Sequence, residues 1–189
     1  MLALVNTPSA PTPVTLREVA EPEPAPDESL LEVHAFSLNR GELALLAGRP
    51  EGWRPGQDVA GVVVQAAADS SGPAVGTRVV ALVDGAGWSQ RVAAPTARMA
   101  ALPDNVSFAS AATLPVAGLT ALRTLRFGGS LLGQRVLITG AAGGAGRIPP
   151  DFRVGWGIIP RGRDQQSSPW RRHCRIWQFV QRGDIHQFL

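Results

Sequence analysis

The sequence predicts an α+β chain: a barrel-like domain of short β-strands, then helices, then one strand running into a glycine-rich turn. Three observations carry this. Short apolar or alternating runs separated by Gly/Pro turns fill about the first half of the chain, the pattern of a compact all-β domain. Helical composition appears only later, at 107–112 and 116–125. Residues 136–139 are then a short β-branched run, followed at once by Gly140, Gly143, Gly144 and Gly146.

Residues 1–5 and 15–19 read as short strands around a Pro-rich link. The acidic, Pro-rich stretch 21–27 is a surface loop. Residues 29–39 alternate, with Leu31, Val33 and Ala35 on one face and Glu32, His34 and Phe36 on the other; that predicts a half-buried strand. A short helix or turn over 41–47 is closed by Gly48. Residues 55–64 are a turn feeding a strand, 72–76 a further turn, and 78–83 and 89–94 two more strands. Asn105 or Ser107 caps the first of the later helices, and Gly128-Gly129 ends the second.

The stretch 135–147 (RVLITGAAGGAGR) organises the chain beyond these helices. Gly140, Gly143 and Gly146 are three apart. Glycine lets the chain turn sharply out of a strand and lets the backbone approach a pyrophosphate closely, and a helix N-terminus then faces the anion. Spacing alone leaves two readings open, a dinucleotide site and a plain tight turn.

Composition narrows the classes. Hydrophobic residues make up 44% of the 189, ordinary for a globular chain long enough for one domain or a domain plus a fragment. No apolar run approaches the ~20 residues that span a bilayer. The first 13 residues lack a basic region before their short apolar start, unlike a signal peptide. One cysteine, Cys174, excludes an internal disulfide framework and a cysteine-rich zinc lobe, so the expected location is cytoplasmic. All 18 basic residues are arginine. Up to Arg147 there are 11 arginines and 12 carboxylates, a net of −1; from Ile148 there are 7 and 3, a net of +4. The basic character therefore sits in the last segment, and no specific nucleic-acid surface is expected across the body.

Four passages in this order, 55–64 (PGQDVAGVVV), 75–83 (VGTRVVALV), 114–121 (LPVAGLTA) and 136–146 (VLITGAAGGAG), resemble the medium-chain dehydrogenase/reductase superfamily, in its zinc-independent quinone oxidoreductase branch. The resemblance covers residues 1–147. It implies a GroES-like β-barrel domain over 1–115 and the start of a Rossmann α/β domain over 116–147. It also implies hydride transfer from NADPH to a quinone or enone, with the cofactor carrying the chemistry and the protein orienting it. NADPH rather than NADH is the family expectation. Relatives of full length dimerise through the Rossmann sheet, a surface not expected in this chain. A reductase module of a polyketide-type assembly line shares the fold and differs in substrate. The reading from another class is a non-catalytic GroES-like remnant or binding module with a basic tail.

Site residues follow from the same resemblance. Zinc-using relatives hold their metal through Cys and His, but Asn39 and Gln57 stand near those places here, so no metal is expected. Asn39 and Thr120 would lie near the nicotinamide-ribose end. Gly140, Ala141, Ala142, Gly143, Gly144, Ala145 and Gly146 would face the cofactor through their backbone. Each has a plainer reading: Asn39 as a turn former, Thr120 as a helix threonine bonding its own backbone. Asp58 is either a strand-start residue with local hydrogen bonds or a residue that orders the floor of the site. Many relatives carry an active-site tyrosine; this chain has no tyrosine. His34 reads as structural, and Trp53 and Trp88 as covers for loops. No catalytic residue is assigned.

After Arg147 the pattern breaks. Pro149 and Pro150 disfavour helix in the residues before them, so a helix from Gly144 is expected to stop within about one turn. Alanine, the commonest residue before this point, is absent from 148–189, and three of five tryptophans lie there. This segment is expected to be an out-of-frame or otherwise aberrant extension of a truncated gene, with the product inactive. A coding sequence that returns to the family pattern in another frame supports this; one uninterrupted frame or a clean fusion contradicts it.

Overall fold

A computed structural model of the chain describes residues 1–130, 140 and 142–147. The strand expected at 136–139, Ala141 and the segment 148–189 lie outside the described residues. The chain divides into two compact units, Met1–Val116 and Ala117–Leu189.

The first unit is built on antiparallel strands. β1 (Leu2–Asn6) pairs with β2 (Val14–Glu18) in a two-stranded sheet. A five-stranded sheet contains β3 (Glu28–Phe36), β4 (Asp58–Gln65), β5 (Arg78–Leu82), β6 (Arg91–Pro95) and β7 (Met99–Ala101), in the order β6-β3-β4-β5-β7. Backbone bonds from Leu4 N to Trp88 O (2.9 Å) and from Gln90 N to Leu2 O (3.0 Å) tie β1 to the segment leading into β6. The apolar positions of the alternating strands meet in one core, made of Leu31, Val59, Val63, Val79, Ala81, Val83, Val92 and Ala94.

Helices occupy the connections. α1 (Arg40–Gly48) links β3 to β4. The carbonyl of Leu46 in its last turn and those of Arg49 and Pro50 just after it are gathered by the buried Asn6, whose Nδ2 donates to them at 3.0, 2.8 and 3.2 Å. α2 (Phe108–Ala112) is capped by Ser107, whose Oγ accepts from Ser110 N at 3.1 Å. Alanines at 60, 111 and 112 form a second buried cluster, which lets α2 lie close to the sheet. α3 (Pro115–Phe127) starts on a proline, which suits a first helical position. Gly129, at φ +71°, follows its end. α4 (Gly144–Arg147) is the last described element. Among the described residues no helix is long and apolar enough to cross a membrane.

Two departures from the sequence pattern have physical causes. β3 ends at Phe36 rather than running on to Asn39: Ser37 N still donates to Asp58 O at 3.3 Å, and Asn39 is already the N-cap of α1. β7 is only three residues of small and flexible side chains and has no alternation to read; pairing with β5 creates it.

Candidate functional site

The residues that link the end of β3, the start of β4 and the first turn of α3 converge on Asp58. Its side chain is fully buried, at 0% exposure. Oδ2 accepts from Ser37 Oγ at 2.6 Å and from Asn39 Nδ2 at 2.8 Å. Oδ1 accepts from the backbone N of Val116 at 2.9 Å. The position before Pro115 holds Leu114, which has no capping side chain, so a carboxylate from β4 serves the start of α3 instead. A buried carboxylate is tolerable only with such donors around it. The local hydrogen bonds of a strand-start residue do not describe Asp58; all three of its side-chain partners are distant in sequence.

Glu42, 1% exposed, is the second buried carboxylate. Oε2 accepts from Asn39 N at 2.7 Å and Oε1 from Gln57 N at 3.0 Å. Asn39 and Glu42 are thus arranged as a capping box at the head of α1. Only the carboxylate half meets hydrogen-bond geometry; the Glu42 N–H bonds the Asn39 carbonyl at 3.0 Å instead. Burial pushes the Glu42 carboxyl above its ordinary value; the two backbone donors pull against this, and the negative Asp58 adds to it. Sequence reasoning missed Glu42, although its place three residues after an N-cap asparagine is a local signal for it.

The loops beneath are locked together. Arg54 O, Pro55 O and Gly56 O accept from the backbone N–H groups of Ala86, Trp88 and Gly87 at 2.8, 3.1 and 3.0 Å. Gly56 has φ +107°, and a side chain there would collide with the Trp88 backbone nitrogen. Trp88 covers loops, as expected: its ring lies against Gly56 and it reaches the turn after β3. It is 6% exposed, stacks on Phe36 with centroids 6.0 Å apart, and donates from Nε1 to Ser37 O at 3.1 Å. Trp53 lies under the Arg49 guanidinium, 5.6 Å from its ring centroid. The His34 ring lies against that of Phe108, tilted by 31° with centroids 4.6 Å apart.

In the second unit, the Thr120 hydroxyl makes no hydrogen bond among the described residues. Its backbone carbonyl accepts from Thr124 Oγ1 at 2.7 Å, so it is Thr124 that bonds back along the helix. Gly140 sits at φ +71°, and Gly143 N donates to Gly140 O at 2.9 Å, closing the turn. Ala142, Gly143 and Gly144 are exposed, and Ala145 and Gly146 partly so. A side chain at Gly144 would meet Ala117 Cβ at 3.6 Å, an ordinary contact. The turn therefore presents bare backbone ahead of one turn of helix, which fits the approach of a pyrophosphate.

Among the described residues, no group of three or more His, Cys, Asp or Glu side chains gathers to hold a metal ion.

Residues 25–122 match the alcohol dehydrogenase GroES-like domain family. A quinone-oxidoreductase homolog from chloroplasts of Spinacia oleracea is 38% identical over 145 residues, covering 68% of this chain and 44% of that protein. A highly reducing polyketide synthase of Arthrinium phaeospermum is 42% identical over 122 residues, covering 61% of this chain and 5% of the synthase. The quinone oxidoreductase of Thermus thermophilus, solved alone and in complex with NADPH, has a TM-score of 0.66 and 32% identity, covering 78% of this chain and 48% of that one. The chain spans less than half the length of both quinone oxidoreductase relatives.

Proposed function

The chain belongs to the medium-chain dehydrogenase/reductase superfamily through its alcohol dehydrogenase GroES-like domain, and we propose that it is an NADPH-dependent oxidoreductase acting on a quinone or enone. The observation that carries this reading is the bare-backbone turn closed between Gly140 and Gly143, in a chain 32% identical to a quinone oxidoreductase solved with NADPH. When bound, the reduced nicotinamide supplies the hydride. Backbone groups of 140–146 would hold the pyrophosphate, and Asn39 and Thr120 would contact the nicotinamide-ribose end. Holding cofactor and acceptor in one geometry is the protein's share of the rate.

The reaction is read as metal-free. Amide side chains are poor zinc ligands beside thiolate and imidazole, and the Asn39 amide is engaged with Asp58. A cytoplasmic location belongs to the same reading and rests on the single cysteine.

The test is turnover by the whole chain, followed as loss of reduced-nicotinamide absorbance with a panel of quinones and enones. Oxidation of NADPH that depends on both protein and acceptor, unchanged by a chelator, supports this reading and overturns the expectation that the segment from Ile148 leaves the product inactive. Chelator-sensitive turnover contradicts the metal-free reading; no turnover with any acceptor contradicts the enzyme reading. The likeness to a polyketide synthase supports a second substrate class, an enoyl thioester, and including one in the panel separates the two.

A further inference from the structure

We propose that the Gln57 side-chain amide contacts the hydride acceptor and donates a hydrogen bond to its carbonyl oxygen. The role in the reaction rests on the function proposed above; the contact itself is tested apart from it. Gln57 is 9% exposed. Its backbone is held on both sides: its N–H donates to Glu42 Oε1 at 3.0 Å, and its carbonyl accepts from Val83 N at 2.8 Å. Its side-chain amide makes no hydrogen bond among the described residues. Nor is that amide sealed in: the enclosed side-chain atoms without a partner belong to Asn6, Ser29 and Arg54. An amide open to solvent, unpaired, on a side chain that is otherwise buried is placed to take a ligand atom.

The surroundings say which kind of ligand. Glu42 holds the backbone N–H of Asn39 with one carboxylate oxygen and that of Gln57 with the other. Gln57 is thereby tied to the residue read as lying at the nicotinamide-ribose end. The stretch around Asn39 also exposes three large apolar side chains, Phe36, Leu38 and Leu43, at 42, 72 and 66%. Small-molecule sites combine apolar surface with a few placed polar groups. A quinone or enone has the matching chemistry, an apolar carbon frame with a carbonyl oxygen that accepts and does not donate. No internal partner fixes which end of the Gln57 amide faces that oxygen, so Nε2–H is available to it.

In an enone, hydride forms a C–H bond at the carbon conjugated with the carbonyl, leaving the cofactor oxidised and the acceptor reduced. The carbon–carbon π pair shifts toward the oxygen, which becomes an enolate, and solvent supplies the proton that gives the saturated ketone. A quinone oxygen becomes a phenolate in the same way. A donor at that oxygen is worth most as the charge develops.

The experiment uses the full chain labelled with nitrogen-15. Cyclohexanone is the probe, because it offers a carbonyl oxygen and takes no conjugate hydride. The Gln57 side-chain NH2 signals are assigned by their disappearance in Gln57→Leu, whose core amide signals should keep their positions. The Gln57 signals should move saturably with cyclohexanone. Unmoved signals overturn the contact, whether or not the chain oxidises NADPH. Turnover of 2-cyclohexenone is the second readout. Gln57→Leu should lower kcat roughly a hundredfold, the usual loss for one such donor, with NADPH affinity within about twofold. An unchanged kcat overturns the donor role. Gln57→Glu has no donor while ionised and one when protonated, so its kcat relative to Gln57→Leu should climb as pH falls. A constant ratio also overturns the donor role. If the unmutated chain oxidises no NADPH, the functional reading falls, and the cyclohexanone titration still decides whether Gln57 takes a carbonyl.

Discussion

The surroundings of Asp58 and the turn at Gly140–Gly143 handle polar groups in opposite ways. Around Asp58, two buried carboxylates are matched by five donors brought from Ser37, Asn39, Gln57 and Val116. Side chains hold this region together, and losing one leaves others unpaired. In the glycine turn no described residue carries a polar side chain; the turn is closed by a backbone bond and includes a residue at φ +71°. The first region is sensitive to chemistry, the second to backbone conformation. A carboxylate should thus be replaceable only by a group with the same acceptors, and a turn glycine only where its φ and its neighbours allow a Cβ.

The largest effect is expected for Asp58→Ala, which strands three donors in the interior. A loss of about 3–5 kcal/mol in urea unfolding follows from the usual cost of breaking a buried charged hydrogen-bond set. A loss below about 1 kcal/mol would mean that water replaces the carboxylate and that the network is not closed. Next is Gly56→Ala, at about 3 kcal/mol, from its positive φ and the collision with Trp88. Removing the Asn6 amide in Asn6→Ala should cost about 2 kcal/mol, because carbonyls in the last turn of α1 and just after it lose their donor; the same unfolding assay measures it.

The glycine turn gives a paired comparison. Gly140→Ala should weaken NADPH binding roughly tenfold, since an L side chain at φ +71° costs about 1–2 kcal/mol. Gly144→Ala should stay within about twofold, because its Cβ meets only an ordinary contact with Ala117. Equal losses would mean that the turn is read through its surface rather than its backbone.

The smallest effect is the pH dependence from Glu42. Burial raises its folded pKa above the unfolded value, so between the two the folded state binds more protons. Stability from this group falls as pH rises through that window, and the penalty is fully present above the folded pKa. Urea midpoints should therefore rise as pH is lowered from neutral toward the ordinary carboxyl range, and the rise should be smaller in Glu42→Gln. Parallel profiles for the two proteins would show that Glu42 does not titrate there.

Local pattern made much of the fold legible. The alternation in 29–36, the apolar run after Asp58, the Ser107 cap and the Gly128-Gly129 stop each announce an element within a few residues of where it lies. The Asp58 set was legible only as residue types. Its partners are 19, 21 and 58 positions away in sequence, and no local rule links them. Trp88 looked isolated in sequence because the residues it packs on, Phe36 and Ser37, come from another strand and the turn after it. Glu42 carried a local cue as the third residue after an N-cap, but its burial and its bond to Gln57 depend on the loop that precedes β4.

Titration of the whole, unmutated chain with NADPH tests the central claim most directly. The account predicts saturable micromolar binding, followed by fluorescence of the reduced nicotinamide. No detectable binding at millimolar cofactor would contradict it and leave a GroES-like domain without its cofactor function.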